Sequence, residues 1–405
     1  MHTKSQSRVI GARLCSIVLI ACALALALPL QTGAQGPPLP WPAEYCTQGQ
    51  LGGQIILICL PPSPTADPLG GWNGVLVVYA HGYVAPQMPL ALPAGELGQI
   101  QLPGGQSAVE FLLGQGFAFA TTSYSKNGYA VGVAEQDLNG LVGYFWSQVP
   151  VLLPPTTLLI GASEGGIITV QQIETYPGIY RGGLAMCGPI GGMPAQIQYL
   201  GDFRVIFDQF FQNVFRFGAV DVPEDAYLHW GKYESTIQDV ILRHPDKSAQ
   251  LFQITRAAWV PAVPETWVAT AQQSLRFSVF GTNDMIATAG GNPYDNDGLR
   301  YTGAWNDIAL NAKVERVEAW GTGPSYIAAY YQPRGDLQVP LVTIHNRLDP
   351  QVPYWHEALY KELVGASPLL TQIESSVPYG HCSFQADEVV KAFNALIGAL
   401  MPPTP

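Results

Sequence analysis

The sequence predicts an α/β protein, a mostly parallel central sheet flanked by helices, with a large, mainly helical insertion ahead of the next-to-last strand. Three observations carry this expectation. Short, continuously apolar runs such as "VLVVY" and "TTLLIG" alternate with longer stretches of helical periodicity, the pattern of strands buried on both faces and joined by crossover helices. Between about Gly191 and Asp336 the alternation stops, and Trp, Tyr and Phe become frequent in helical text such as "VIFDQFFQNVF". A Gly-Ala-Ser-Glu-Gly turn sits where one buried strand gives way at once to a helix.

In chain order, Lys4, Arg8 and Arg13 precede an uncharged apolar run from Ile17 to Leu30, and Thr32-Gly33-Ala34 offers small residues for cleavage, so 1–34 reads as a signal peptide. The run is short for a membrane span, which needs about 20 residues. Leu19-Ile20-Ala21-Cys22 resembles a lipoprotein cleavage box, an alternative in which Cys22 would carry a lipid, but Cys22 lies inside the hydrophobic run. Residues 35–190 are expected to form the first part of the core. In "CTQGQLGGQIILIC" a two-residue turn at Gly52-Gly53 pairs position 51 with 54 and, counting outward, Cys46 with Cys59. That pair falls on a non-hydrogen-bonded site, where Cα atoms are about 4.5 Å apart and a disulfide can close.

Strands follow at Val75–Tyr79 and Phe117–Thr122, with "SAVEFLLGQG" between them as a helix closed by Gly116. Leu138, Leu141, Val142 and Phe145 make a helical stripe. "TTLLIG", "GGIITVQQIETY" and "RGGLAMCG" then read as strand, helix and strand. The insertion, expected to be a cap, covers 191–336, and 337–405 completes the core with "VPLVTIH", "YWHEALYKELV", "LLTQIESS" and "QADEVVKAFNALIGAL".

Composition excludes some partners. Removal of the leader takes the formal charge from −11 to −14, and no basic run exists to serve nucleic acid or an anionic membrane. The four cysteines left in a chain bound for an oxidising compartment read as disulfides. No histidine–cysteine spacing suggests zinc. "YDNDG" at Tyr294–Gly298 has Pro293 where a calcium loop needs an oxygen ligand, so it reads as a turn, and no cofactor is expected.

Chemistry concentrates at Gly161-Ala162-Ser163-Glu164-Gly165. The Gly-x-Ser-x-Gly spacing suits a sharp strand-to-helix turn that leaves no room for Cβ atoms on its flanks and exposes the serine. The plain alternative is a serine that only caps the helix. A nucleophilic serine needs a histidine base and an acid, expected here in the order Ser, acid, His. Of the seven histidines, His2 lies in the leader, His81 precedes the serine, His229 and His244 fall in the insertion, His345 in a strand and His356 in a helix. His381, in "PYGHCSF" between the last strand and the last helix, is left. Asp349, in "HNRLDPQVP", follows a strand's carboxyl end, although an Asx turn would equally explain it.

Two backbone N–H groups should meet a developing oxyanion: that of Glu164 and, after the His81-Gly82 turn, that of Tyr83. His81 reads as an anchor of its loop by hydrogen bonding rather than as a base. His81, Tyr124, Lys126 and Asn127 are the residues expected to line the cleft, with a structural loop role as the alternative for the last three.

Through the His-Gly loop, "GASEG", "LDPQVP" and "YGHCSF", residues 72–190 and 337–400 resemble secreted serine hydrolases of the α/β-hydrolase superfamily, of capped esterase type. Looser similarity extends to prolyl-oligopeptidase catalytic domains, though no propeller-type repeat precedes the core. The resemblance implies acyl transfer through an acyl-serine, without a cofactor, on a small or polymeric ester. In tannases and feruloyl esterases, a cysteine before the serine bridges to one after the histidine. Here Ala162 precedes Ser163, so that bridge is absent, and Cys187 is the remaining partner for Cys382. Two competing readings are a peptidase of short peptides and a non-catalytic binding protein; the intact set of three residues speaks against the second.

Overall fold

The computed structural model of the chain describes residues 39–400, apart from positions 66, 68, 100, 103, 104, 150–155 and 221. The expected leader, 1–34, with Cys22, lies outside the described residues. From Leu39 onward the chain forms one compact unit.

Strands β1 (Cys46–Leu51) and β2 (Gln54–Cys59) pair antiparallel from Leu51↔Gln54 to Cys46↔Cys59. Gly52 and Gly53 take positive φ (58° and 91°), the handedness a two-residue hairpin turn requires. Counting outward from that turn brings the two cysteines into register, and they are bonded, with Cα atoms 4.0 Å apart.

The remaining strands of the main sheet are β3 (Val75–Ala80), β4 (Ala118–Thr122), β5 (Thr156–Ala162), β6 (Gly182–Met186), β7 (Leu341–His345) and β8 (Leu370–Glu374). Their order is β1-β2-β4-β3-β5-β6-β7-β8. Strand β2 runs antiparallel to both its neighbours, and every pair from β4 to β8 is parallel. Because side chains alternate along a strand, Leu76, Val78, Ala80 and Leu159 enter one apolar layer, whereas Val77, Tyr79, Leu158 and Ile160 enter another.

Helices α1 (Ala94–Gln99) and α2 (Ala108–Gly114) cover one face, and α3 (Val131–Gln148) and α4 (Glu164–Thr175) the other. The start of α2 is fixed by a reciprocal cap: Ser107 Oγ accepts from Glu110 N–H (3.1 Å), and Ser107 N–H donates to Glu110 Oε2 (2.8 Å). Between β6 and β7 the chain builds α5 (Met193–Phe210), α6 (Trp230–Arg243), α7 (Pro245–Thr255), α8 (Pro264–Phe280), α9 (Thr282–Ala289), α10 (Asp307–Lys313) and α11 (Gly323–Tyr330). These enclose an apolar cluster of their own, centred on Phe203, Phe207, Trp230, Phe252 and Leu275. Helix α12 (Trp355–Val364) follows β7, and α13 (Ala386–Leu400) closes the chain by packing Phe393 and Leu396 with α1 and α2.

Candidate active site

Strand β5 ends at Ala162 and α4 begins at Glu164, so the whole reversal falls on Ser163. Its backbone sits at φ 55°, ψ −122°, a region that costs a non-glycine residue about 1–3 kcal/mol. The flanking glycines make the turn possible. A Cβ on Gly161 would lie 2.0 Å from Gly165 O, and one on Gly165 would lie 1.9 Å from Ala80 O. Ser163 N–H donates to Met186 O (2.9 Å), which pins the turn to β6.

Asp349 lies four residues beyond β7 and is fully buried. Its Oδ1 accepts the N–H groups of Gln351 (2.8 Å) and Val352 (2.9 Å), while Oδ2 is 2.8 Å from His381 Nδ1. The Asx turn and the contact to histidine therefore coexist on different oxygens. Burial alone would raise this carboxyl, but the charges and hydrogen bonds of His381 and His345 outweigh it and bring Asp349 down to about 2. An ionised carboxylate only accepts, so Nδ1 of His381 carries a proton and Nε2 is left as an acceptor. Ser163 Oγ is 2.9 Å from that Nε2.

The histidine loop is held from three sides. Asn346, just past β7 and buried, donates to Val377 O (2.8 Å) and Ser383 O (2.7 Å) and accepts from Ser383 N–H (3.0 Å), spanning both flanks of His381. Cys382 is bonded to Cys187, which follows β6. With both sulfurs in a disulfide, the Cys187–Cys382–His381 cluster offers a metal no thiolate. From the insertion, α8 holds the half-buried Tyr379: its hydroxyl donates to Thr266 O (3.0 Å) and pairs with Thr270 Oγ1 (2.9 Å).

Helices α5 and α8 also grip the acid loop. Tyr199 and Ser274 both donate to Pro350 O (3.2 Å each), and Gln196 Nε2 donates to Gln351 O (2.8 Å).

The His81-Gly82-Tyr83 loop lies against the serine: a Cβ on Gly82 would be 3.2 Å from Ser163 Cβ. Gly82 N–H is taken by the Glu96 carboxylate (3.0 Å). Among the described residues, the N–H groups of Tyr83 and Glu164 have no acceptor. The Tyr83 ring packs on Tyr129 and Phe277, at 5.2 and 5.6 Å between centroids, and its hydroxyl donates to Phe280 O (3.2 Å). The Glu164 side chain turns inward. Its Oε1 accepts Ala130 N–H at the start of α3 (2.9 Å), and burial pushes the carboxyl up to about 8 against the pull of that bond.

Of the side chains expected in a cleft, His81 and Tyr124 are buried and stacked on each other at 4.0 Å. Tyr124 OH donates to His81 O (3.1 Å), and burial lowers the His81 imidazole. Lys126 Nζ donates to Thr288 Oγ1 (2.8 Å), and Asn127 Nδ2 to Met88 O (2.7 Å). Among the described hydrogen bonds, none of these four side chains reaches Ser163, Asp349 or His381.

A parallel sheet with one reversed strand, a strained serine turn at the tip of β5, and Ser, Asp and His following in that chain order decide the fold. It is the α/β-hydrolase fold. Solved structures similar to this chain include VinJ (14% identity, TM-score 0.42, covering 89% of this chain and 99% of that one) and Candida antarctica lipase A in its closed state (13%, 0.43, 87% and 75%). The acylaminoacyl peptidase of Pyrococcus horikoshii is similar at 10% identity and a TM-score of 0.36 over 80% of this chain, which spans only 35% of that protein. No family model matches the sequence, and no curated protein does.

Sequence reasoning missed Asn346, His345, Tyr199, Ser274 and Tyr379. Asn346, Tyr199, Ser274 and Tyr379 make contacts between segments far apart in the chain, and His345, 4 and 12 positions from Asp349 and Glu357, reads as an ordinary inward-facing strand residue.

Proposed function

We propose that the protein is an extracytoplasmic serine hydrolase that cleaves carboxylic esters, with Ser163 as nucleophile, His381 as general base and acid, and Asp349 as its orienting acid. The observation that carries this reading is the unbroken hydrogen-bonded series Ser163 Oγ, His381 Nε2, His381 Nδ1, Asp349 Oδ2. His381 Nε2 takes the hydroxyl proton as Ser163 Oγ attacks the ester carbonyl, and the imidazolium so formed is balanced by Asp349. The N–H groups of Tyr83 and Glu164 hold the oxyanion. Collapse expels the alcohol, which takes the proton from His381 and leaves an acyl-serine. Water then repeats the cycle through the same base and releases the acid.

An ester with an apolar acyl or aryl group is favoured over a peptide by the surroundings of Tyr83. Tyr129 and Phe277 pack on its ring and also line a mostly apolar cavity with Ile197, Leu200 and Met285, whose lining includes Arg204 and Asn292 and none of Ser163, Asp349 and His381. The insertion acts as a cap, a role supported by the hold of α8 on both the acid and histidine loops. The two disulfides support an oxidising compartment. The test is turnover of a p-nitrophenyl ester series beside a panel of short peptides, with Ser163→Ala as control. Ester hydrolysis lost in the variant is expected; peptide cleavage without ester turnover would favour a peptidase.

A further inference from the structure

His345, the last residue of β7, is fully buried and has no part in the hydrolysis just described. Its Nδ1 is 3.3 Å from Glu357 Oε1. Its Nε2 is 2.9 Å from Val352 O and 3.3 Å from Asp349 Oδ2, the oxygen that also meets His381. All three partners are acceptors. A neutral imidazole has one donor and one acceptor nitrogen, and no donor faces either nitrogen here among the described residues. Glu357, itself buried, accepts through its other oxygen from Thr343 Oγ1 (2.6 Å) and Gln372 Nε2 (2.7 Å), the surroundings of an ionised carboxylate.

Resting on the triad reading, we propose that His345 is a resident imidazolium which, backed by Glu357, holds Asp349 Oδ2 in place and sets how strongly Asp349 supports His381. It is a positioning residue and touches no reacting atom. The charge count gives it a definite effect. Asp349, Glu357 and His345 together carry one net negative charge, the same as a lone triad acid. Removing His345 leaves two negative charges beside His381, and neutralising Glu357 leaves none.

On the neighbouring strand β8, Glu374 stands in register with His345 and is paired with Arg347 (3.1 Å), so these two add no net charge; the nearby histidine and phenols stay neutral. His356 on α12, with Nε2 on Gln196 Oε1 (3.0 Å), is lowered by burial and by the His345 charge. Tyr354 and His345 make a T-shaped ring pair at 5.7 Å, and burial raises the phenols of Tyr354, Tyr199 and Tyr379. For His345, burial opposes the charge, but Asp349 and Glu357 outweigh it and lift the ring to about 10.

Two measurements test the proposal. In 15N-histidine-labelled wild-type protein, which needs no activity and no variant, long-range 1H–15N spectra should show one ring with both nitrogens protonated at pH 8; finding every ring neutral there would overturn it. In the second, the rate of labelling by a fluorophosphonate is followed against pH. The acidic limb should move up by about one pH unit in His345→Gln and down in Glu357→Gln, since nearby charges shift such groups by about that much, and return towards wild type in the double variant. Unmoved limbs, or limbs moving in the same direction, contradict it. If nothing labels at any pH, the hydrolase reading fails, and the spectrum still decides the state of His345.

Discussion

Cys382, the residue after His381, is bonded to Cys187 at the end of β6, so the histidine loop is tied covalently to the strand beside the one that carries Ser163. Opening this bridge in a Cys187→Ala/Cys382→Ala variant should cost activity chiefly in kcat, by about 10²-fold, the effect of a displacement near 1 Å at a reacting centre. The Cys46–Cys59 bridge is the control. It closes a short hairpin remote from the triad, so its removal should lower stability by up to about 3 kcal/mol and leave kcat unchanged. Equal kinetic losses in both variants would show that the Cys187–Cys382 bridge has no specific hold on His381.

Gly82 and Gly165 should separate function from folding. A methyl at Gly82 would meet Ser163 Cβ at 3.2 Å and Ala162 O at 3.3 Å, contacts that small shifts of the oxyanion loop relieve. Gly82→Ala is therefore expected to fold and to lose roughly 10-fold or more in kcat/KM, as one oxyanion donor moves. At Gly165 the added carbon would lie 1.9 Å from a backbone oxygen of β3, so Gly165→Ala should fail to accumulate as folded protein. Circular dichroism and ester kinetics on the two purified variants check this contrast.

The insertion's hold on the histidine loop runs through the Tyr379 hydroxyl. Tyr379→Phe removes both contacts and should cost about 1–2 kcal/mol of local stability, with hydrogen exchange rising in residues 377–384 before it rises in the sheet. Unchanged exchange in that loop would show that α8 does not restrain it.

Glu164 gives a pH signature. Its carboxyl is raised from 4.5 to about 8 by burial, so the folded protein holds that proton more tightly than the unfolded chain. Its contribution to stability is complete below about pH 4.5 and is lost as pH rises through about 8. Glu164→Gln keeps an acceptor for Ala130 N–H and cannot ionise. Urea midpoints at pH 5, 6.5 and 8 should fall more steeply for wild type than for the variant, while activity at pH 6 stays close to wild type, because the proposed oxyanion contact uses the backbone N–H and not the side chain. Parallel curves would contradict this.

Much of the framework could be read from the chain because it rests on local rules. Gly52-Gly53 sets the hairpin register and so brings Cys46 to Cys59, and the serine turn lies between an apolar run and a helical one. The meeting of Ser163, Asp349 and His381 was legible because each follows a strand's carboxyl end, where a parallel sheet gathers its loops. His345 was not: inside an apolar run it looks like any inward-facing strand residue, and only the fold puts Glu357 and Asp349 against its two nitrogens. The same holds for His81 and Tyr124, whose loop positions suggested a cleft and whose rings are instead stacked and buried. The packing of α5 and α8 on the acid loop depends on pairs 76 to 151 positions apart, beyond any periodicity.

The most direct test of the central claim is peptide mapping after treatment with a fluorophosphonate, on wild type, Ser163→Ala and His381→Ala. A single adduct on Ser163 in wild type, none in Ser163→Ala and greatly slowed labelling in His381→Ala are expected. An adduct on another residue, or equal labelling of all three proteins, would contradict the assignment of Ser163 as an activated nucleophile.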